Sequence, residues 1–139
     1  MQIKEIYIHC SATGPDLDIG AAEIRQWHTD PKPYGNGWAD IGYHYVIRRD
    51  GSVEKGRDES VPGAHVLGHN KSSLGVCLVG GVDQNGKPDC NFTRSQWGSL
   101  AALMLNITQR HPQAIVRGHR DADSGKDCPT FDAAAWWSQ

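Results

Sequence analysis

The sequence predicts one α/β domain over residues 1–139, on three observations. Strand-like and helix-like segments alternate along the chain. The continuous apolar run from Leu74 to Val79 suits a central strand. No linker, internal repeat or low-complexity stretch divides the sequence. A chain of 139 residues can bury a core without disulfides or a structural metal.

Each element has its own signal. Ile3 to His9 alternates as a strand, with Ile6, Ile8 and Cys10 on one face and Tyr7 and His9 on the other. Ala21 to Thr29 carries Ile24, Trp27 and His28 at helical spacing, with Asp18 as the expected cap and Pro31 as the stop. A Gly- and Pro-rich loop, 30–40, follows. Tyr43 to Arg48 alternates as a strand, and Asp50-Gly51 before Ser52-Val53-Glu54 predicts a hairpin closed by a type I′ turn. His44 should then point away from Tyr43. A long loop, 57–73, contains Pro62-Gly63 and leads into the apolar strand, which Gly80-Gly81 ends. Thr93-Arg94-Ser95-Gln96 is a capping box that opens the longest helix. Its buried face is expected to carry Trp97, Leu100, Ala101, Met104, Ile107 and His111, with Pro112 just beyond. Ala114 to Val116 reads as a short strand. A final helix is expected from about Thr130 through Phe131, Ala134 and Trp137. Trp27, Trp97, Trp136 and Trp137 read as core or half-buried residues.

Composition excludes several classes of function. Lys+Arg total 14 against Asp+Glu 16, a net charge of -2, so no basic field points to nucleic acid. Met1-Gln2-Ile3-Lys4-Glu5 is no signal peptide, and no run of roughly 18 apolar residues exists to span a membrane. A protein made in the cytoplasm and not membrane-bound is the expectation. Cys10, Cys77, Cys90 and Cys128 are irregularly spaced, and Cys77 lies in an apolar run, which reads as reduced thiols.

The chemistry concentrates at the two ends of the chain. Val116-Arg117-Gly118-His119 is followed, across a polar loop, by Lys126-Asp127-Cys128-Pro129, and the first strand ends in His9. Taken alone, a strand-end histidine is more often structural, and a single cysteine is most often a small buried thiol. Together, two imidazoles and one thiolate can hold a zinc ion with one position left open for water, the arrangement of a catalytic rather than a structural site. That points to a hydrolase. His65 and His69 stand four apart, but Gly68 and Pro62-Gly63 make their segment a loop, so a second metal is not expected there. Trp38 and Tyr34 stand in the polar loop 30–40, where an aromatic ring either stacks on a sugar face or anchors the loop.

His9-Cys10-Ser11-Ala12-Thr13, Glu23-Ile24-Arg25-Gln26-Trp27-His28, Gly42-Tyr43-His44-Tyr45, Arg49-Asp50-Gly51, Gly75-Val76-Cys77-Leu78-Val79-Gly80-Gly81 and Lys126-Asp127-Cys128-Pro129-Thr130-Phe131 recur in order over almost the whole chain. In these blocks the sequence resembles the type 2 N-acetylmuramoyl-L-alanine amidases, in particular the small phage lysozymes of the T-seven kind, and more distantly the peptidoglycan recognition proteins. The resemblance implies a mixed central β-sheet flanked by helices, one zinc per chain, and cleavage of the amide between N-acetylmuramic acid and L-alanine of bacterial peptidoglycan. It also implies His9, His119 and Cys128 as zinc ligands, Tyr43 and Lys126 as the catalytic pair, and His65 as a substrate contact at the cleft rim. The segment between His119 and Cys128 is a residue longer than in the phage lysozyme and contains Asp121-Ala122-Asp123.

A phage or prophage endolysin acting as a monomer, held in the host cytoplasm until release to the wall, is the expected biology. Two other readings follow from the same resemblance. One is a non-catalytic peptidoglycan-binding module, against which Cys128 argues. The other is an added inhibitory contact with a phage RNA polymerase, secondary because only eight residues precede His9.

Overall fold

The computed structural model describes residues 2–138. In chain order the elements are β1 (Glu5–Cys10), α1 (Ala21–Thr29), β2 (Tyr45–Ile47), β3 (Val53–Lys55), a single 3-10 turn (Asn70–Ser72), β4 (Ser73–Leu78), α2 (Arg94–Arg110), β5 (Ile115–Gly118), α3 (His119–Ala122) and α4 (Ala133–Trp137). The five strands form one sheet in the order β3-β2-β4-β1-β5. β1 runs parallel to β4 and β5, β2 is parallel to β4, and only β3 is antiparallel to its neighbour. The sheet is therefore mixed, as the resemblance implies.

Both faces of the sheet are covered, which explains why β4 is apolar without alternation. Ile6, Ile8 and Cys10 of β1 join Leu74, Val76 and Leu78 of β4 on one face, against Leu100, Met104 and Ile107 of α2 and Ala133 of α4. On the other face Cys77 and Val79 meet Val46, Ile41 and the Ala21 and Ile24 side of α1. Tyr7 and His9 point away from the α2 face, as the alternation of β1 predicts. Among the described residues no helix is long and apolar enough to cross a membrane. All four cysteines are free thiols.

Several local expectations are corrected. The hairpin turn is not type I′, which needs positive φ at both central residues. Only Gly51 is left-handed, at φ 90°. Gly51 N–H donates to the Arg48 carbonyl at 2.9 Å and Arg48 N–H to that of Ser52 at 2.9 Å, a three-residue loop with a glycine bulge. Strand β2 begins at Tyr45, so Tyr43 and His44 lie in the approach to it.

Asp18 does not cap α1. It accepts from Arg48 at 3.0 Å, while Glu54 of β3 takes the Ala21 N–H at 2.9 Å. The last helix begins later than Thr130, whose φ of 78° is left-handed and incompatible with a helix start. Asp132 is the cap, accepting from Ala135 N–H at 3.1 Å. Ala101 faces solvent rather than the core. Trp27 is 43% exposed, more open than the core or half-buried place expected of it.

Candidate metal centre

Parallel pairing of β1 with β5 matches Ile8 to Gly118, so the next residue of each strand path, His9 and His119, emerges at the same sheet end. Crevices at the carboxyl ends of parallel strands are where α/β sheets collect ligands. Gly118 N–H donates to Asp121 at 2.8 Å, which turns the chain into α3 immediately after the strand. Cys128 is brought in by packing of the 127–130 segment. Arg120 N–H donates to the Cys128 carbonyl at 2.8 Å. Gly118 leaves room for Pro129, since a Cβ on it would lie 2.8 Å from the proline ring.

The outcome is a cluster in which one ligand atom from each of His9, His119 and Cys128 lies within 4.8 Å of the others. His9 Nδ1 stands 3.1 Å from His119 Nδ1. Two neutral rings so placed cannot both present lone pairs to each other without a proton or a cation between them. Tetrahedral zinc with Zn–N near 2.0–2.1 Å separates two nitrogens by about 3.3 Å. The donor set and its spacing fit one such ion. Cys10 N–H donates to Cys128 Sγ at 3.1 Å, a bond that favours a thiolate at that sulfur.

Electrostatics agree with neutral imidazoles. Burial, with His65 and His119 nearby, holds His9 well below the usual histidine range. Burial and the Lys126 ammonium lower His119. The adjoining Cys10 thiol and burial raise Cys128, so without a cation its sulfur keeps its proton. Tyr43 is half-buried, its ring 5.0 Å from that of His9. Burial and the thiols of Cys77, Cys128 and Cys10 raise its hydroxyl well above the ordinary tyrosine range, leaving it a hydrogen-bond donor at neutral pH.

A cleft of about 550 Å³ reaches the cluster at His119. Lys126 and Asp123 line it beside His119, with Leu67 and Trp38 also on its walls. Trp38 is 39% exposed and its ring lies 4.8 Å from that of His28, so it serves both to anchor the loop and to form a wall. Tyr34 is 88% exposed and lies outside the lining of this cleft. His65 contributes to the lining yet is only 9% exposed, and it touches His9 rather than standing free at the rim. His69 does not join it in a metal cluster; it contacts Tyr7 and Glu5 instead. His44 points away from Tyr43 toward Val61 and Gly75, as expected.

Residues 1–131 match the N-acetylmuramoyl-L-alanine amidase family. The chain belongs to that family. Among its relatives are the endolysin of Escherichia phage T7, 47% identical over 96% of this chain and 85% of the relative, and the endolysin of Klebsiella phage KP32, 45% identical over 99% and 87%. The solved Ph2119 endolysin from a Thermus scotoductus bacteriophage superposes with a TM-score of 0.78 at 26% identity, covering 93% of this chain and 78% of that one. In this amidase-family chain, two residues at the centre escape sequence reasoning. Ser73 reads only as the last residue of the long loop, yet it opens β4, is fully buried and touches His65. The Cys10 backbone N–H is another, since no side-chain pattern reports it.

Proposed function

We propose that this chain hydrolyses the amide between N-acetylmuramic acid and L-alanine in peptidoglycan, with one zinc held by His9, His119 and Cys128. The observation that carries the reading is the pair of facing Nδ1 atoms 3.1 Å apart with the Cys128 thiol beside them, reached from an open cleft at His119. Zinc bound there supplies Lewis acidity and lowers the pKa of a water it holds toward about 7. Lys126 faces the same cleft, where its ammonium meets the negative charge that develops on the amide oxygen. Tyr43 keeps its proton and donates a hydrogen bond beside His9 to the same developing charge or to the attacking water. Trp38 offers a flat apolar wall suited to the carbon face of a pyranose ring. The endolysin relatives support a phage or prophage enzyme that reaches the wall after release from the host cytoplasm.

Digestion of purified peptidoglycan, with mass analysis of the fragments, tests the reaction. Free L-alanine amines paired with muramic lactyl carboxyl ends are expected; new reducing sugar ends would mean a glycosidase instead. Cys128→Ser tests the metal. It should lower zinc content from one equivalent and abolish lysis, and a serine variant with full zinc and full turnover would remove Cys128 from the ligand set.

A further inference from the structure

We propose that Ser73 and His65 form a tautomer-setting relay that holds His9 with a bare Nδ1, so that His9 is a preset ligand and His119 the adaptable one. The naming of zinc rests on the amidase reading above; the relay does not.

The relay follows from the hydrogen-bond geometry. Ser73 Oγ lies 2.7 Å from the His69 carbonyl, which can only accept, so the hydroxyl proton goes there. The serine oxygen is then an acceptor for the ring of His65, whose Nε2 lies 3.3 Å away. A neutral imidazole carries a single N–H, so His65 Nδ1 is bare. That nitrogen is 2.9 Å from His9 Nε2, which must therefore carry the His9 proton. His9 Nδ1 is left with its lone pair directed at His119. The opposite assignment would take the hydroxyl proton away from the short bond to the His69 carbonyl and put a proton on His9 Nδ1, at the metal position.

The three side chains of this path are shielded by the fold. Ser73 and His9 are fully buried and His65 nearly so. The nearby His44 is already committed, with Nε2 donating to the Val61 carbonyl at 2.8 Å and Nδ1 accepting from Gly75 N–H at 3.1 Å. His65 is also held in place. Asn70 Oδ1 accepts from the N–H groups of His65 and Val66 at 2.9 and 3.0 Å. Gly75 leaves space for the ring, since a Cβ there would lie 2.6 Å from it. His119, by contrast, is half-buried at the cleft and has only His9 as a side-chain partner among the described residues. With His9 Nδ1 bare, the tautomer of His119 is the one left to follow whatever lies between the two rings. Outer partners that orient a ligating histidine in this way typically change metal affinity by about 10- to 100-fold when removed.

Long-range nitrogen–proton NMR of the histidines at neutral pH reads the tautomers directly. In the metal-free wild type, His9 and His65 should carry their protons on Nε2 and His119 on Nδ1. Adding zinc should change the tautomer of His119 alone. Ser73→Ala should mix the tautomers of His65 and His9 and weaken zinc about 10- to 100-fold in competition with a chromophoric chelator, and Ser73→Thr, which keeps the hydroxyl, should restore both. A role for Ser73 in folding alone would lower thermal stability without moving tautomer signals, and that result would overturn the relay. A wild-type His9 protonated on Nδ1 would overturn it even if no variant folds. If the wild type takes up no zinc while the tautomers are as stated, the metal reading fails and the relay stands.

Discussion

Tyr43 approaches the three candidate ligands from the segment ahead of β2, and Lys126 from the loop between α3 and Cys128. Tyr43→Phe removes a hydroxyl and keeps the ring that packs 5.0 Å from His9. Lys126→Ala removes an exposed ammonium from the cleft wall. Both changes should leave fold and zinc content in place and lower kcat by about 10²–10³, the usual loss when one preorganised donor to a developing charge is removed. Steady-state kinetics alongside metal analysis checks this; an effect confined to KM would make either residue a holder of substrate. The grouping of His9, His119 and Cys128 was legible in the sequence from their joint pattern, two histidines at strand ends with a cysteine close behind the second, while the roles given to Tyr43 and Lys126 rest on the family resemblance. The approach of His65 to His9 and Ser73 was not legible. Their contact depends on how the loop 57–73 folds back on β1, and no periodicity in the sequence encodes that path.

The end of α2 nearest the hairpin ties three elements together. Thr93 Oγ1 accepts from Gln96 N–H at 3.1 Å and donates to the Arg49 carbonyl at 2.7 Å, so one hydroxyl caps the helix and fastens the hairpin loop. Gln96 is fully buried. Its Oε1 accepts from Thr93 N–H and from Arg49, each at 3.0 Å, and its amide donates to the Ile47 and Val79 carbonyls at 3.2 and 2.8 Å. Thr93→Ala should cost about 1 kcal/mol, the typical loss of an N-cap. Gln96→Leu should cost more, about 2–4 kcal/mol, because it strands several buried polar groups at once. Urea unfolding of the metal-free variants measures both, and equal losses would mean that Gln96 acts only as part of the cap. The capping box itself was readable from four residues. The start of α4 was not, because Thr130 adopts a left-handed φ that runs against its local preference, and the cap passes to Asp132. The cap of α1 was missed for a related reason: Glu54 reaches it from a strand more than thirty residues away.

Acid should act on the molecule as a whole through its histidines. His9 and His44 are buried and lie with their rings 4.9 and 5.9 Å from that of His65. Burial is the largest cause lowering all three, His9 well below the usual range and His65 to about 3; neighbouring histidines add to the effect for His9 and His65, while for His44 the Val61 carbonyl and Glu59 oppose it. A histidine whose folded pKa is depressed binds fewer protons in the native state than in the unfolded chain. Its contribution is therefore complete above the unfolded value of about 6.5 and is lost as pH falls from there toward the folded value. Each such group can remove up to about 1.4 kcal/mol per pH unit within that window. The metal-free chain should accordingly show a flat melting temperature above neutrality and a steep decline between about pH 6.5 and pH 3, the interval set by the unfolded reference and by His65. Zinc should raise the plateau, and its benefit should fade over the same acid range because protons compete for His9, His119 and Cys128. Thermal melts across pH, with zinc and with a chelator, test both curves. A chelated chain equally stable at pH 4 and pH 8 would mean that these rings are not held neutral by the fold.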